Sequence, residues 1–175
     1  SPYENNYIFS KYVAEKLTNQ YRKHFSIIDI RIGNVYSPTR LIRPDLVPTL
    51  MHSLIINKEA SVWNFDPTRD FIHVSDAIDA VMQLINTEYS GPVNVGLGKS
   101  YSVKQMCDIL QEISAINISS KQIPVTGHMK YLHDISLLKS LINFNPKYDL
   151  KDGLIDTYQK MLNFYEHNEL QQYEE

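Results

Sequence analysis

Only one cysteine, Cys107, stands among the 175 residues, so neither an intramolecular disulfide nor a cysteine-built zinc site can form. The six histidines are scattered without an H-x-x-x-H type of spacing, and no metal is expected. Long apolar runs are missing too. Nothing approaches the ~18 residues that a membrane span needs, and no secretory leader pattern is visible, so the expectation is a reducing, cytoplasmic setting with no membrane partner. Basic residues show no excess, at 17 Lys and Arg against 20 Asp and Glu, and no basic stretch is interleaved with aromatics. Nucleic acid is therefore not an expected partner. Glycine is scarce: of Gly33, Gly91, Gly96, Gly98, Gly127 and Gly153, no three have the spacing of a phosphate-cradling loop.

What is present is enough chain for one domain with a real core. Near its start stands "YIFSK", which places Tyr7 and Lys11 four residues apart. On a helix those positions stack on one face, where an ammonium favours the phenolate and prepares a tyrosine for base chemistry. The plain alternative is an amphipathic helix with Tyr7 packed and Lys11 solvated.

The patterning continues as α/β. A helix over "NYIFSKYVAEKLTNQYRKHF" precedes an apolar, β-branched run, and Ile27 to Ile32 read as a buried parallel strand. "SPTRLIRP" reads as loop, and "DLVPTLMHSLIINK" as a helix with Pro48 in its first turn. "ASVWNF" and "DFIHV" read as short alternating strands around the turn "DPTR", and Ser75 as the N-cap of the helix that follows. After the short strand "GPVNVGLG", Ser102 reads as the cap of a helix that buries Cys107. Helices over "DISLLKSLI" and "LKDGLIDTYQKMLNFYEH" then lead to a frayed acidic tail, "NELQQYEE". One or two core strands do not complete a parallel sheet, so the chain reads as the second part of something larger.

Five segments occur in order with fitting gaps: "YIFSKYVAEKL", "RIGNVYSP", "RDFIHVSDAIDAV", "VNVGLG" and "DISLLKSLINFNPKYDLKDGLIDT". Together they resemble the extended short-chain dehydrogenase/reductase family, in particular its nucleotide-sugar epimerases, dehydratases and reductases. The resemblance covers essentially the whole chain. It implies the C-terminal part of an NAD(P)-binding Rossmann-type fold together with a small α/β substrate-binding domain, the N-terminal Rossmann half being absent. Residues 1–36 would carry the last helix and strand of the Rossmann domain. Residues 37–167 would be mainly the nucleotide-sugar domain with short returns to the sheet, and 168–175 the tail.

The same resemblance implies an enzyme that removes a proton from a sugar hydroxyl while hydride passes to NAD, with NADP also open. Tyr7 would be the acid/base, and Lys11 would bond the nicotinamide ribose. Tyr3 is a rival for the tyrosine, but the residue four after it is Tyr7 rather than lysine. Cofactor contacts are expected at Tyr7, Lys11, Asn34 and Val35. Substrate contacts are expected at Asn34, Leu46, Val47, Val62, Trp63, Asn64 and Arg69. Arg69 would grip the diphosphate, with Asp70 holding its guanidinium in place. Relatives place an arginine near "GHMKYLHD"; here Lys130 or His128 stands in, and Lys130 is taken as the phosphate contact. The resemblance further implies a nucleotide-diphosphate-sugar partner and a homodimer of the full-length protein. A keto-sugar reductase, or a non-catalytic nucleotide-binding relative, are the alternatives.

Overall fold

The computed structural model describes residues 5–42, 45–125, 127–167 and 171–172. Helix α1 (Asn6–Tyr21) begins where the Asn5 side chain accepts a hydrogen bond from the Ile8 amide at 2.8 Å. None of its residues is buried. What anchors it is polar: Arg22 pairs with Asp29, Arg31 Nε donates to Glu15 at 2.9 Å, and Thr18 donates to Asp29 at 2.8 Å. These bonds tie α1 to strand β1 (Ile28–Ile32), and Arg31 holds the Glu15 carboxyl below the usual carboxylate range.

β1 pairs in parallel with β7 (Gly91–Val95), from Ile28 opposite Gly91 to Ile32 opposite Val95. It is half-buried and partly exposed rather than buried on both sides as its apolar run predicts. Among the described residues β7 is its one strand neighbour. Gly33 then switches partners: its amide bonds Val95, and the next residue starts β2 (Asn34–Tyr36), parallel to β6 (Phe71–His73). A side chain at Gly33 would press on the Asp70 carbonyl at 3.0 Å, so glycine suits the crossing.

β6 does not alternate as its sequence predicts, because all three residues are buried. Phe71 enters one core and Ile72 another, so both faces of this short strand are covered. The Phe71 core gathers Leu54, Met106, Leu110, Leu154 and Met161. These come from helices α4 (Val103–Ser114) and α6 (Leu150–Glu166) and from the π-helical turn Ser53–Asn57 that continues α2 (Leu46–His52), which itself adds Val47, Leu50 and Met51. The Ile72 core lies between β7, α3 (Val74–Ile85) and α5 (Ser136–Leu141), around Ala80, Leu84, Val93 and Leu138. The two cores interleave along the sequence, with short strands carrying the chain between them.

Six short strands, in three pairs, complete the frame among the described residues. β4 (Ala60–Val62) runs parallel to β9 (Ile118–Ser120), and β5 (Thr68–Arg69) pairs antiparallel with β8 (Tyr101–Ser102). Within "SPTRLIRP", β3 (Leu41–Ile42) pairs with β10 (Gln171–Gln172), so part of the expected frayed tail has strand backbone. Helix caps differ from expectation at one point. Ser102 and Gln105 form a reciprocal capping box on α4 as predicted, but α3 is capped by His73, whose Nδ1 accepts from the Ser75 amide at 3.3 Å. Cys107 is buried on α4, and burial pushes its thiol up to about 12, which leaves it unreactive.

Candidate functional site

A cavity of about 570 Å³ opens where the short strands of the first core meet α2, a volume within the range of small-molecule sites. Its floor and walls come from six stretches far apart in sequence, one of them Val103 at the start of α4. Asn34 enters at the start of β2, and Leu46, Thr49, Leu50 and Ser53 present one face of α2 and its π-helical continuation. Val62 ends β4 and Trp63 and Asn64 follow it, while Arg69 and Phe71 come from β5 and β6. Ile123, Pro124 and Val125 close the last wall.

The strand register explains this convergence. With β9 beside β4, the Lys121 amide bonds the Val62 carbonyl at 2.8 Å and the Ile123 amide bonds Trp63 at 2.9 Å. The segment after β9 is thereby laid along Trp63 and Asn64. Asn64 completes the seam, its Nδ2 donating to the Ile123 carbonyl at 3.2 Å and its Oδ1 accepting from the Asp66 amide at 2.9 Å. Its amide therefore holds the wall together, whereas the Trp63 indole is 68% exposed and presents its ring to the cavity.

Arg69 is the one cationic side chain among the described residues lining the cavity. Its Nη1 donates to its neighbour's carbonyl on Thr68 at 2.8 Å and reaches the Met129 carbonyl at 3.5 Å. These bonds fix the guanidinium while leaving further N–H donors of its fork for a ligand. Asp70 does not hold it. Consecutive strand residues point to opposite faces, and the Asp70 carboxylate is turned inward with 0% exposure. It accepts from the amides of Leu97 (2.8 Å), Gly98 (3.1 Å) and His133 (3.3 Å), which binds the 96–98 turn and the 133 segment to β6. Gly98 adopts φ +69 in that turn, and a side chain at Gly96 would meet the same carboxylate at 2.5 Å.

Other expected residues lie elsewhere. Val47 is buried in the first core and does not line the cavity; on α2 it faces away from Leu46. Val35 alternates with Asn34 and Tyr36 along β2, and is partly exposed outside the cavity. Lys130 is exposed beside β5, its backbone bridged to Thr68, one position along from the Met129 carbonyl that Arg69 reaches. Tyr7 and Lys11 share a face of α1 as their spacing predicts. Lys11 Nζ sits 5.4 Å from the Tyr7 ring centroid, and Tyr7 is 71% exposed. Neither lines the cavity. Tyr3 lies outside the described residues. Asp45, Thr49, Ser53 and the Ile123–Val125 wall escape sequence reasoning. The 46/49/50/53 spacing on one helix face is a usable signal for the first group. The wall has none, since only the β4–β9 register places it. Among the described residues, no group of three or more His, Cys, Asp or Glu is placed to hold a metal ion.

Comparison with known proteins places this architecture. A family model described as GDP-mannose 4,6 dehydratase matches residues 2–157. A probable GDP-L-fucose synthase 1 of Oryza sativa subsp. japonica is 30% identical over 169 residues, covering 87% of this chain and 50% of that protein. Among solved structures, a NAD-dependent NDP-hexosamine 5,6-dehydratase of tunicamycin biosynthesis superposes with a TM-score of 0.82 at 26% identity, over 91% of this chain and 55% of the other. A variant of a Bacillus cereus UDP-glucuronic acid 4-epimerase, in complex with UDP-4-deoxy-4-fluoro-glucuronic acid and NAD, gives 0.80 at 25% identity, over 90% and 52%. The chain thus spans about half the length of these relatives.

Proposed function

The chain belongs to the GDP-mannose 4,6 dehydratase family, and from that premise we propose that it is the substrate-binding and acid/base part of an NAD-dependent nucleotide-sugar epimerase or dehydratase. A single observation carries this reading. Asn34, Leu46, Val62, Trp63, Asn64 and Arg69, from four separate stretches of sequence, converge on one cavity with a lone cation among its described lining residues. An apolar slab with one fixed guanidinium suits a flat base next to a diphosphate.

The chain's own residues have distinct tasks in that reaction. Arg69 neutralises the diphosphate, its planar fork matching phosphate oxygens. Tyr7 accepts the proton of a sugar hydroxyl as the carbinol C–H bond breaks, and returns a proton in the reverse step. NAD, when bound, supplies the hydride acceptor. The exposed Tyr7–Lys11 face fits one end of such a cofactor, with Lys11 donating to its ribose. Asn34 can offer both a donor and an acceptor to the sugar or its phosphates. The apolar side chains left exposed on α1 and at Ile32 and Val35 suit a face on which further Rossmann sheet, or a second copy in a homodimer, would pack.

Full-length protein that contains this chain, assayed with NAD and a panel of nucleotide sugars, tests the reading. The expected result is conversion of at least one, with product identified by mass and NMR. Absence of both binding and turnover across UDP-, GDP- and dTDP-sugars would overturn it. A keto-sugar reductase is the second reading, favoured by the similarity to a dTDP-4-dehydro-6-deoxy-D-allose reductase of Streptomyces sp. Oxidation of reduced cofactor by a 4-keto sugar, with no reaction of the 4-hydroxy sugar, would select it.

A further inference from the structure

His133 is a buried imidazole that neither lines the cavity nor enters the chemistry above. It is 7% exposed, and its Nδ1 has no aligned hydrogen-bond partner among the described residues. The acceptor that Nδ1 faces, at 3.3 Å, is Oδ2 of the fully buried Asp70. A buried ring nitrogen without a partner is costly, so this carboxylate is the group that must satisfy it. The fold makes room for the meeting. A side chain on Gly33 would come within 3.3 Å of the ring, and one on Gly96 within 3.1 Å of Nδ1. Tyr131 packs on the imidazole edge-on, with ring centroids 4.9 Å apart. The segment that carries His133 is laced along residues 68–70. The Met129 carbonyl accepts from the Thr68 amide at 2.8 Å, and the Tyr131 amide donates to the Thr68 carbonyl at 3.1 Å. The His133 amide then bonds Asp70 Oδ2, and Asn94 ties the end of the segment through the Asp134 carbonyl at 3.0 Å.

That seam is what aims Arg69. Its Nη1 rests on the carbonyls of Thr68 and Met129, and both belong to the seam between 68–70 and 129–131. Arg69 and Asp70 are consecutive and point to opposite faces. The Asp70 carboxylate therefore secures from inside the same stretch that presents the guanidinium to the cavity. Three of its partners are main-chain amides, and His133 supplies the one side-chain group at the carboxylate among the described residues. An apolar side chain at 133 would leave the carboxylate free to turn, and the seam would loosen with it. Resting on the nucleotide-sugar reading of the cavity, we propose that His133 is a positioning residue: its Nδ1–H steadies the Asp70 carboxylate, Asp70 holds the 129–133 segment against 68–70, and that seam fixes the Arg69 guanidinium for the diphosphate. His133 does not touch the ligand and acts through Arg69.

The test is a double-mutant cycle on full-length protein containing this chain, read as calorimetric affinity for UDP, GDP or dTDP, whichever it binds. His133→Leu keeps the bulk of the side chain and removes the ring nitrogen. It should weaken the nucleoside diphosphate about tenfold, whereas the same substitution added to Arg69→Met should cost no more than about twofold, because the group it positions is gone. His133→Asn, whose side-chain N–H reaches about as far as Nδ1, should recover most of the affinity that His133→Leu loses. Equal losses with and without Arg69→Met would overturn the proposal in favour of packing alone. So would unchanged affinity in His133→Leu, or an asparagine variant no better than the leucine one. If His133→Leu does not fold, His133→Gln, which carries its N–H where Nε2 stands, replaces it in both comparisons with the same expected pattern. Arg69→Met that keeps full affinity would overturn the diphosphate reading of Arg69, and wild-type protein that binds no nucleoside diphosphate would overturn the cavity reading. Either result takes the proposal with it, whereas equal losses leave both readings standing.

Discussion

Arg69 shows how one side chain is both fixed and available. Its Nη1 is spent on the Thr68 carbonyl and reaches Met129, so the fork is aimed before any ligand arrives. Arg69→Lys in the full-length protein should weaken nucleotide-sugar binding by about 1.5–3 kcal/mol, the range for a hydrogen bond to a charged group. Cofactor affinity should stay close to wild type. Equal loss of both affinities by titration would point to a structural role instead. Tyr7 makes a complementary case, because its exposure means that Tyr7→Phe disturbs no core. Turnover should fall about 10²–10⁴-fold with substrate affinity preserved. Lys11→Met should weaken cofactor binding, which Tyr7→Phe should spare. Near-normal turnover in Tyr7→Phe would remove the pair from the chemistry.

At the level of elements, α6 and β2 meet where Gly153 leaves room for the buried Tyr36 ring. A methyl group there would overlap the Tyr36 hydroxyl. Alanine improves an isolated helix by about 1 kcal/mol over glycine, whereas overpacking costs about 1–3 kcal/mol. Denaturant melts should therefore find Gly153→Ala destabilised on balance, and adding Tyr36→Phe should recover most of the loss. A stabilised single variant would refute the steric account. The α3 cap makes a second element-scale expectation. His73 is buried between Tyr36 and Tyr148, with Nδ1 taken by the Ser75 amide and Nε2 3.5 Å from Asp156. Burial lowers its proton affinity, and the Asp156 charge opposes this only in part. The unfolded chain then binds the proton more readily. Stability from this residue is present above about pH 6.5, the ordinary histidine value, and is lost as pH falls below it toward the lowered folded value. In His73→Asn, which keeps an N-cap acceptor, Tm measured from pH 7.5 to 5 should lose that part of its slope. An unchanged slope would assign the acid sensitivity elsewhere.

Across the whole molecule, two cores share β6 and are stitched by parallel pairs, while α1 remains outside both. Tyr7, Leu17 and Tyr21 of α1 and Ile32 of β1 are exposed. No three glycines of this chain have the spacing of a phosphate-cradling loop. Calorimetry on the 175-residue chain by itself should therefore find NAD affinity no better than weak. Micromolar affinity would show that the cofactor's phosphates are held by residues within it.

Much of this protein was legible in one dimension because its signals are local. The α/β order, the Tyr7–Lys11 face, the Ser102 cap and the burial of Cys107 follow from helical and strand periods that act within a few residues. Motif order then led to the family and to six of the cavity's residues, Asn34, Leu46, Val62, Trp63, Asn64 and Arg69. Tertiary structure decided the rest, since those outcomes depend on which distant strands lie side by side. The β4–β9 register brings Ile123–Val125 onto the cavity and commits the Asn64 amide to the wall. The burial of both faces of β6 turns Asp70 away from Arg69 and onto three backbone amides. The N-cap of α3 fell to His73 rather than Ser75. Sequence spacing states which residues can share a face, but long-range pairing decides what that face meets.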